Sequence, residues 1–190
     1  MITLPDGALA EAYAPHMAYA AAMGYSIEDL DWLRAELGIA HLELDPWGSL
    51  IVTPADDPHE IAAVALNRQA TRQLSHDVSV NGFGWTVPGG TGYLMVPDLT
   101  VLASGWQRVE ELHFDPPPLL VVEIASPSSR RVDRSRKLAD YRLGGAEKYL
   151  LVDLPASFEL HHFAAGTVVK SEGEIELVVG GQPVRFSLPV

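Results

Sequence analysis

Hydrophobic and polar positions follow two different periods along this 190-residue chain. The segment 6–37 is rich in alanine near its start and predicts two helices, over 8–23 and 27–37. Ser26 and Asp29, three residues apart, form a capping-box pattern at the start of the second helix. The chain is therefore expected to begin with a helical segment.

The period changes after this segment. Apolar and polar residues alternate over 41–45 and again over 49–53, with a turn sequence between them, and this pattern predicts a β-hairpin. Residues 59–75 return to the helical period. The apolar positions expected on the buried face of that helix are Ile61, Val64, Ala65, Ala70 and Leu74.

The second half of the chain combines strands with one further helix. A strand, a glycine-rich loop and a second strand are predicted over 77–102, and the apolar run 119–125 has the composition of a central strand. A helix then follows and ends at Leu143, before two glycines. Another strand is expected over 148–153, and the tail from 157 onward predicts antiparallel hairpins.

These elements predict a single α/β domain with a mixed β-sheet flanked by helices. Its expected parts are an N-terminal helical extension over 1–37, a core over 38–165 and a C-terminal hairpin over 166–190. The first 24 residues contain no Lys or Arg, unlike a secretory signal, and the apolar runs are too short to span a membrane. We expect a cytoplasmic protein.

Two acidic residues interrupt apolar strands. Glu123 lies inside the run 119–125, where an ionised carboxylate is costly unless it is paired, hydrogen-bonded or bound to a metal. Asp98 follows Pro97 in a β-rich segment. The structural alternative for Glu123 is a place near a strand end, where it pairs with an arginine. The structural alternative for Asp98 is that Pro97–Asp98 is simply a turn. If neighbouring strands bring both carboxylates together, they repel unless a cation lies between them, and oxygen-only ligands suit Mg²⁺ or Mn²⁺.

The charge is unevenly distributed. The chain has a net charge of -12 and no cysteine, which excludes disulfides, thiolate metal sites and a cysteine nucleophile. An acidic total disfavours coating of nucleic acid by bulk charge. Residues 130–142, however, contain six of the 13 basic residues and only two acidic ones. A solvated helix face is one interpretation, and an anion contact is the other. The arginines expected to contact that anion are Arg130, Arg131 and Arg134.

The same helix carries a row of residues spaced by four. Asp133, Lys137 and Tyr141 are expected to lie along one helix face. That face can direct Lys137 toward the carboxylates of Asp98 and Glu123. For Tyr141, packing in the core is the simpler expectation.

The order of these residues resembles the PD-(D/E)xK nucleases. Pro97–Asp98 is followed by Glu123–Ile124–Ala125 and, downstream, by Lys137. In more detail, the Glu-x-x-Ser-Pro-Ser sequence that begins at Glu123, with the Asp and Lys that follow it, is similar to the Uma-two family of restriction-endonuclease-like proteins. The resemblance covers about residues 25–165. It is weaker for the first hairpin and for the start of the first conserved helix.

The resemblance implies a role for each matching residue. Asp98 and Glu123 would bind Mg²⁺ or Mn²⁺, and Lys137 would be the catalytic lysine. The chain departs from the wider Glu-x-Lys pattern because position 125 is alanine, so the lysine would have to come from the following helix, as the motif of the Uma-two family implies. Residues that could support the site are Glu43 in the hairpin, His59 and Tyr141.

The implied function is metal-dependent hydrolysis of phosphodiester bonds, most simply in DNA, with Arg130, Arg131 and Arg134 on neighbouring phosphates. Restriction-like enzymes often act as homodimers, so the resemblance also implies a homodimer for this protein. Two alternatives stay open. One is a catalytically inactive protein of the same fold that binds DNA or another protein. The other is an enzyme that uses the same cation on a different phosphorylated substrate.

Overall fold

The computed structural model describes residues 19–22, 33, 42–44, 49–52, 57–80, 84–87, 94–109, 114–125, 129–155 and 157–188. Within these ranges the strands form one six-stranded sheet, one three-stranded sheet and two two-stranded ribbons. The helices are α1 (Asp57–Gln73) and an arginine-rich helix with three parts. Those parts are α2 (Arg130–Val132), a π-helical segment (Asp133–Lys137) and α3 (Leu138–Leu143).

The strands follow in chain order. They are β1 (Tyr19–Ala22), β2 (Leu42–Leu44), β3 (Ser49–Val52), β4 (Val78–Val80), β5 (Leu99–Val101), β6 (Gln107–Arg108), β7 (Phe114–Asp115), β8 (Leu120–Ala125), β9 (Lys148–Asp153), β10 (Ser157–His162), β11 (Thr167–Glu172), β12 (Glu174–Val179) and β13 (Gln182–Ser187).

The six-stranded sheet is mixed, as predicted, with the order β11-β10-β9-β8-β5-β4. Strands β8 and β9 are parallel, and the other neighbouring strands are antiparallel. The arginine-rich helix connects the parallel pair, because parallel neighbours need a crossover connection. Strand β8 is buried along its whole length, which is the environment that its apolar sequence predicts.

Alternate residues of β8 face two different cores. Leu120, Val122 and Ile124 pack in the larger core, which also contains residues of α1 and of the β12–β13 hairpin. Val121 and Ala125 pack on the opposite face, with aromatic residues and the arginine-rich helix. Because side chains alternate along a strand, Glu123 points to the face covered by that helix.

The N-terminal helix prediction is wrong at residues 19–22. These residues form β1, which pairs antiparallel with β3 so that Tyr19 is opposite Val52. Alanine favours helix only as a local propensity, and pairing with a neighbouring strand overrides it. Leu33 is helical and buried, which agrees with the predicted helix over 27–37. The rest of the segment 6–37 lies outside the described residues.

Helix α1 exists as predicted, but two of its expected core residues are on the surface. Ile61 is 56% exposed and Val64 is 45% exposed. The buried face consists of His59, Ala62, Ala63, Leu66 and Ala70. The sequence offers apolar residues on more than one side of this helix, so packing against the sheet and the C-terminal hairpin decides its rotation.

Both predicted hairpin regions are confirmed. Strands β2 and β3 pair antiparallel, and the tail forms the β10–β11 and β12–β13 hairpins. Gly180 and Gly181 at the last turn have φ angles of 54° and 80°, which favour glycine. Among the described residues, no helix combines the length and apolar character needed to cross a membrane.

Candidate active site

The register of β5 and β8 brings the two predicted carboxylates together. Leu99, the first residue of β5, lies opposite Val122 of β8, so Asp98, which directly precedes β5, comes beside Glu123. The backbone N–H of Ile124 donates a hydrogen bond to Asp98 Oδ2 at 2.6 Å. Asp98 is 1% exposed and Glu123 is 3% exposed. The two carboxylates therefore share a buried place at the centre of the sheet.

The arginine-rich helix buries the predicted row of residues. Asp133, Lys137 and Tyr141 are all less than 5% exposed. Four residues turn an α-helix by about 400°, roughly 40° past a full turn, whereas in a π-helix four residues fall short of a turn. The π-helical segment spans the first interval and α3 the second. The two deviations oppose each other, and the three side chains stay in line toward the sheet.

Lys137 is the centre of the buried ion-pair network. Its Nζ lies 2.7 Å from Glu43 Oε1, 3.2 Å from Glu123 Oε2 and 3.5 Å from Asp133 Oδ1. These three acids come from a separate three-stranded sheet, from the central strand and from the helix itself. One ammonium group therefore links three elements of the fold.

Tyr141 both packs in the core and contacts the site. Its hydroxyl donates a hydrogen bond to Glu123 Oε1 at 2.5 Å, and its ring stacks on Trp85 with centroids 5.0 Å apart. Since Lys137 binds the other oxygen of Glu123, each carboxylate oxygen has one donor and the orientation of the group is fixed. Tyr141 therefore has the core packing that the sequence predicts and also a direct contact with the candidate site.

The two weakest predictions also fall at this site. Glu43 Oε1 accepts a hydrogen bond from the backbone N–H of Val96 at 3.1 Å as well as the contact with Lys137. His59, in the first turn of α1, places Nε2 3.2 Å from Asp98 Oδ1. Both side chains are buried. Every site residue expected from the sequence near the two carboxylates is therefore in the cluster.

The cluster holds more negative than positive charge. Among the described residues, Glu43, Asp98, Glu123 and Asp133 are buried with a single ammonium group, that of Lys137. Even with a protonated imidazole at His59, two formal negative charges are uncompensated among these side chains. Such an excess must be relieved by protons or by a bound cation.

The pKa shifts express this imbalance. Burial raises the pKa of Glu123 well above its usual value of 4.5, against the lowering effect of Lys137, and the other three carboxylates raise it further. Burial also raises the pKa of Asp133 above 3.8.

For Lys137 the balance is reversed. Burial alone lowers the pKa of its ammonium group, but Glu123, Glu43 and Asp133 outweigh that effect and hold the pKa well above 10.5. In this state Lys137 keeps its proton near neutral pH and supplies positive charge to the cluster.

The donor chemistry fits a hard divalent cation. Asp98 and Glu123 offer adjacent carboxylates, and Mg²⁺ typically uses one or two protein carboxylates and completes its shell with waters and substrate oxygens. In the described part of the chain, no three His, Asp or Glu side chains are grouped so that they could hold a metal by themselves.

The predicted phosphate contacts have an intramolecular partner. Arg130 Nη2 lies 2.5 Å from Asp153 Oδ1, and Arg134 Nη2 lies 2.7 Å from Asp153 Oδ2. Arg131 is exposed. Sequence reasoning did not identify Asp153, which ends the strand that follows the helix.

The mixed sheet and its helices form a restriction-endonuclease-like fold. A solved structure from Anabaena variabilis, described as a "putative nuclease", matches with a TM-score of 0.52 and 18% identity, over 73% of this chain and 80% of that one. The chain belongs to the Uma2 family, described as "Putative restriction endonuclease", whose model matches residues 28–185. No curated protein matches the chain.

Proposed function

We propose that this protein is a metal-dependent endonuclease that hydrolyses phosphodiester bonds in DNA. The observation that supports this most strongly is the buried cluster of four carboxylates, three of which lie within 3.5 Å of one ammonium group. A cluster with this excess of negative charge lowers the stability of the fold unless it binds a cation, so a functional reason for keeping it is expected. Membership of a family described as "Putative restriction endonuclease" points to the same chemistry.

Asp98 and Glu123 are the proposed ligands of Mg²⁺ or Mn²⁺. When bound, the ion would lower the pKa of a water molecule and neutralise negative charge on the phosphate. Asp98 is positioned by the backbone N–H of Ile124 and by His59. Glu123 is positioned by Tyr141 and Lys137. Both carboxylates are thus oriented before any substrate arrives, which reduces the cost of ordering the site.

Lys137 has an electrostatic role in this proposal. Its raised pKa keeps the ammonium group charged, so it stabilises negative charge that develops on the phosphate. It also keeps Glu43 and Glu123 near each other despite their repulsion. Glu43 has no need to contact the substrate, because its contacts with Lys137 and with the backbone of Val96 explain its position.

The arginine-rich helix is the proposed contact with the DNA backbone. Arg130, Arg131 and Arg134 lie at its start, and each is at least partly exposed. Contacts with phosphates give affinity that falls with salt and depends little on base sequence. Cutting both strands of a duplex would require two sites, so a homodimer is part of the proposal.

A second candidate is a protein of the same fold that binds DNA without cutting it. It is favoured by the position of the Lys137 ammonium group, which lies 2.7 Å from Glu43 and 3.2 Å from Glu123 and so already neutralises part of the cluster. The two candidates differ in one measurable respect, which is cleavage in the presence of a divalent cation.

The test is a cleavage assay on supercoiled and single-stranded DNA with Mg²⁺, Mn²⁺ or EDTA. The wild type should cut with either ion and not with EDTA. Asp98→Asn and Lys137→Ala should lower the rate by roughly a hundredfold or more. Asp115→Asn, which changes an exposed acid in β7, is the matched control and should cut normally.

The outcomes separate the candidates. DNA binding without cleavage by any variant would support the non-catalytic candidate. Cleavage that persists unchanged in Asp98→Asn would contradict the proposed site and point to a contaminating nuclease. Sedimentation of the protein with and without DNA would test the homodimer.

A further inference from the structure

Two arginines of the arginine-rich helix form ion pairs with one carboxylate. Asp153 Oδ1 pairs with Arg130, and Asp153 Oδ2 pairs with Arg134, so each oxygen has its own guanidinium group. The arginine side chains are 43% and 40% exposed, and the Asp153 side chain is 18% exposed. The Asp153 carboxylate thus makes, with two guanidinium groups at the surface, the contacts that a phosphate group would make.

Asp153 lies on the strand next to Glu123, and its alternation places it on the same face of the sheet. In the register of the parallel pair, Glu123 is opposite Leu151 and Ala125 is opposite Asp153. Two residues along a strand span roughly 7 Å. Open α/β sheets bind ligands at the carboxyl ends of parallel strands. Asp153 therefore lies roughly 7 Å beyond the position beside Glu123, toward the carboxyl ends of β8 and β9.

The guanidinium of Arg130 has further donor capacity. Its buried Nε–H has no hydrogen-bond partner among the described residues. A buried donor without a partner is costly. The pair of arginines is thus only partly satisfied by Asp153.

We propose that Asp153 masks a phosphate subsite formed by Arg130 and Arg134, and that a phosphate of the bound DNA displaces its carboxylate. This inference rests on the proposed nuclease function and deepens it. Masking lowers affinity for the DNA backbone because each binding event must break two ion pairs. It also places a negative charge beside any phosphate that approaches the helix. Asp153 is therefore a residue that sets affinity, not a catalytic residue.

A purely structural role makes different predictions. If Asp153 only ties the helix to β9, its removal should lower thermal stability and leave DNA affinity unchanged or weaker. If it masks the arginines, its removal should tighten DNA binding. If the increase in DNA affinity arises because Arg130 and Arg134 are freed, it should vanish in a protein that lacks both arginines. If it arises only from the loss of one negative charge, it should persist there.

The experiment measures binding of a short labelled DNA duplex by fluorescence anisotropy in EDTA, over a series of salt concentrations. Asp153→Asn is the test variant, and Asp153→Ser is a second variant in case the first folds poorly. Because exposed ion pairs are individually weak, the loss of two should tighten binding by roughly three- to tenfold. Glu172→Gln removes the same charge from an exposed position on β11 at the sheet edge and should have little effect.

The decisive comparison repeats Asp153→Asn in a chain that carries Arg130→Gln and Arg134→Gln. The tighter binding should disappear there. Unchanged or weaker binding by both Asp153 variants would overturn the masking proposal, as would a gain that survives without the arginines. Those results would leave the nuclease proposal intact if the wild type still cuts DNA with Mg²⁺. If no variant binds or cuts DNA, both proposals are wrong.

Discussion

Replacement of Lys137 by methionine tests whether one ammonium group holds the buried acids together. Lys137 is 4% exposed and lies within 3.5 Å of three carboxylates. Methionine has a similar unbranched stem, so the change removes the charge with little loss of packing. After it, Glu43, Glu123 and Asp133 lose their shared cation and remain buried.

The size of the effect follows from the burial of the network. Removal of one partner from a buried ion pair typically costs about 3–5 kcal/mol, because the remaining charge is left uncompensated. Three acids share this partner, and protonation of one or more of them limits the loss. We expect Lys137→Met to lower the free energy of unfolding by about 3–5 kcal/mol near neutral pH. In a domain of this size that corresponds to a fall in Tm of roughly 6–20 °C.

The loss should depend on pH in one direction. Burial already raises the pKa of Glu123 above 4.5 and that of Asp133 above 3.8, and removal of Lys137 raises both further. An acid with a raised pKa in the folded state binds protons more tightly when folded than when unfolded. Its contribution to stability is therefore lost as pH rises from the unfolded pKa toward the folded one. The gap between wild type and variant should widen from about pH 4.5 upward.

Urea unfolding followed by circular dichroism, at several pH values and in EDTA, measures this gap. Arg131→Met is the matched control, because it removes a cation from an exposed position of the same helix, and it should change stability by no more than about 0.5 kcal/mol. A second change, Glu43→Gln, should restore part of the loss in Lys137→Met. If Lys137→Met is as stable as Arg131→Met near neutral pH, the proposed role of the ammonium group is refuted.

Three further predictions concern individual side chains. Glu123→Gln should gain stability relative to the wild type as pH rises above about 4.5, because the raised pKa of Glu123 penalises its ionised form; a pH-independent difference in urea melts would contradict this. Tyr141→Phe should cost about 1–3 kcal/mol in urea melts, because it removes a donor to a buried carboxylate oxygen. Tyr149→Phe, which loses only a contact with the backbone oxygen of Asp133 at 3.2 Å, should cost less, and the opposite order would count against the assigned roles. On α1, Leu66→Ala should cost about 2–5 kcal/mol and Ile61→Ser less than about 0.5 kcal/mol. Comparable losses of Tm in these two variants would mean that the helix is rotated as the sequence pattern suggested.

The parts of the fold that the sequence predicts well have strong local patterns. The apolar run of β8 and the alternation in the tail both predict β-strands, and the structure has strands at both places. The strand at 19–22 and the rotation of α1 depend on distant partners. Tyr19 pairs with Val52, and α1 packs on β13 at the far end of the chain. Alanine-rich and weakly amphipathic segments give no local signal of such partners.

The candidate site likewise contains residues that the sequence identifies and contacts that only the fold reveals. Asp98 and Glu123 could be selected because a carboxylate in an apolar strand needs a reason, and Lys137 because of its spacing on the helix. The contact between Glu43 and the backbone of Val96 joins positions 53 residues apart, and no spacing rule predicts it. Asp153 ends an ordinary strand, so only the three-dimensional position of the helix reveals its pairing with the arginines.

The alanine at position 125 is explained by the geometry of the crossover. Side chains at 121, 123 and 125 of β8 point to the face that the arginine-rich helix covers, so a residue of that helix and a residue at 125 approach the same space. Lys137 reaches Glu123 Oε2 at 3.2 Å from the helix, while Ala125 is buried against the aromatic residues of that core. A lysine on the helix can thus supply the charge that the strand lacks. The same helix also carries Asp133 and, at its start, Arg130 and Arg134. The lysine of the candidate site and the arginines of the proposed phosphate contact therefore lie on one helix.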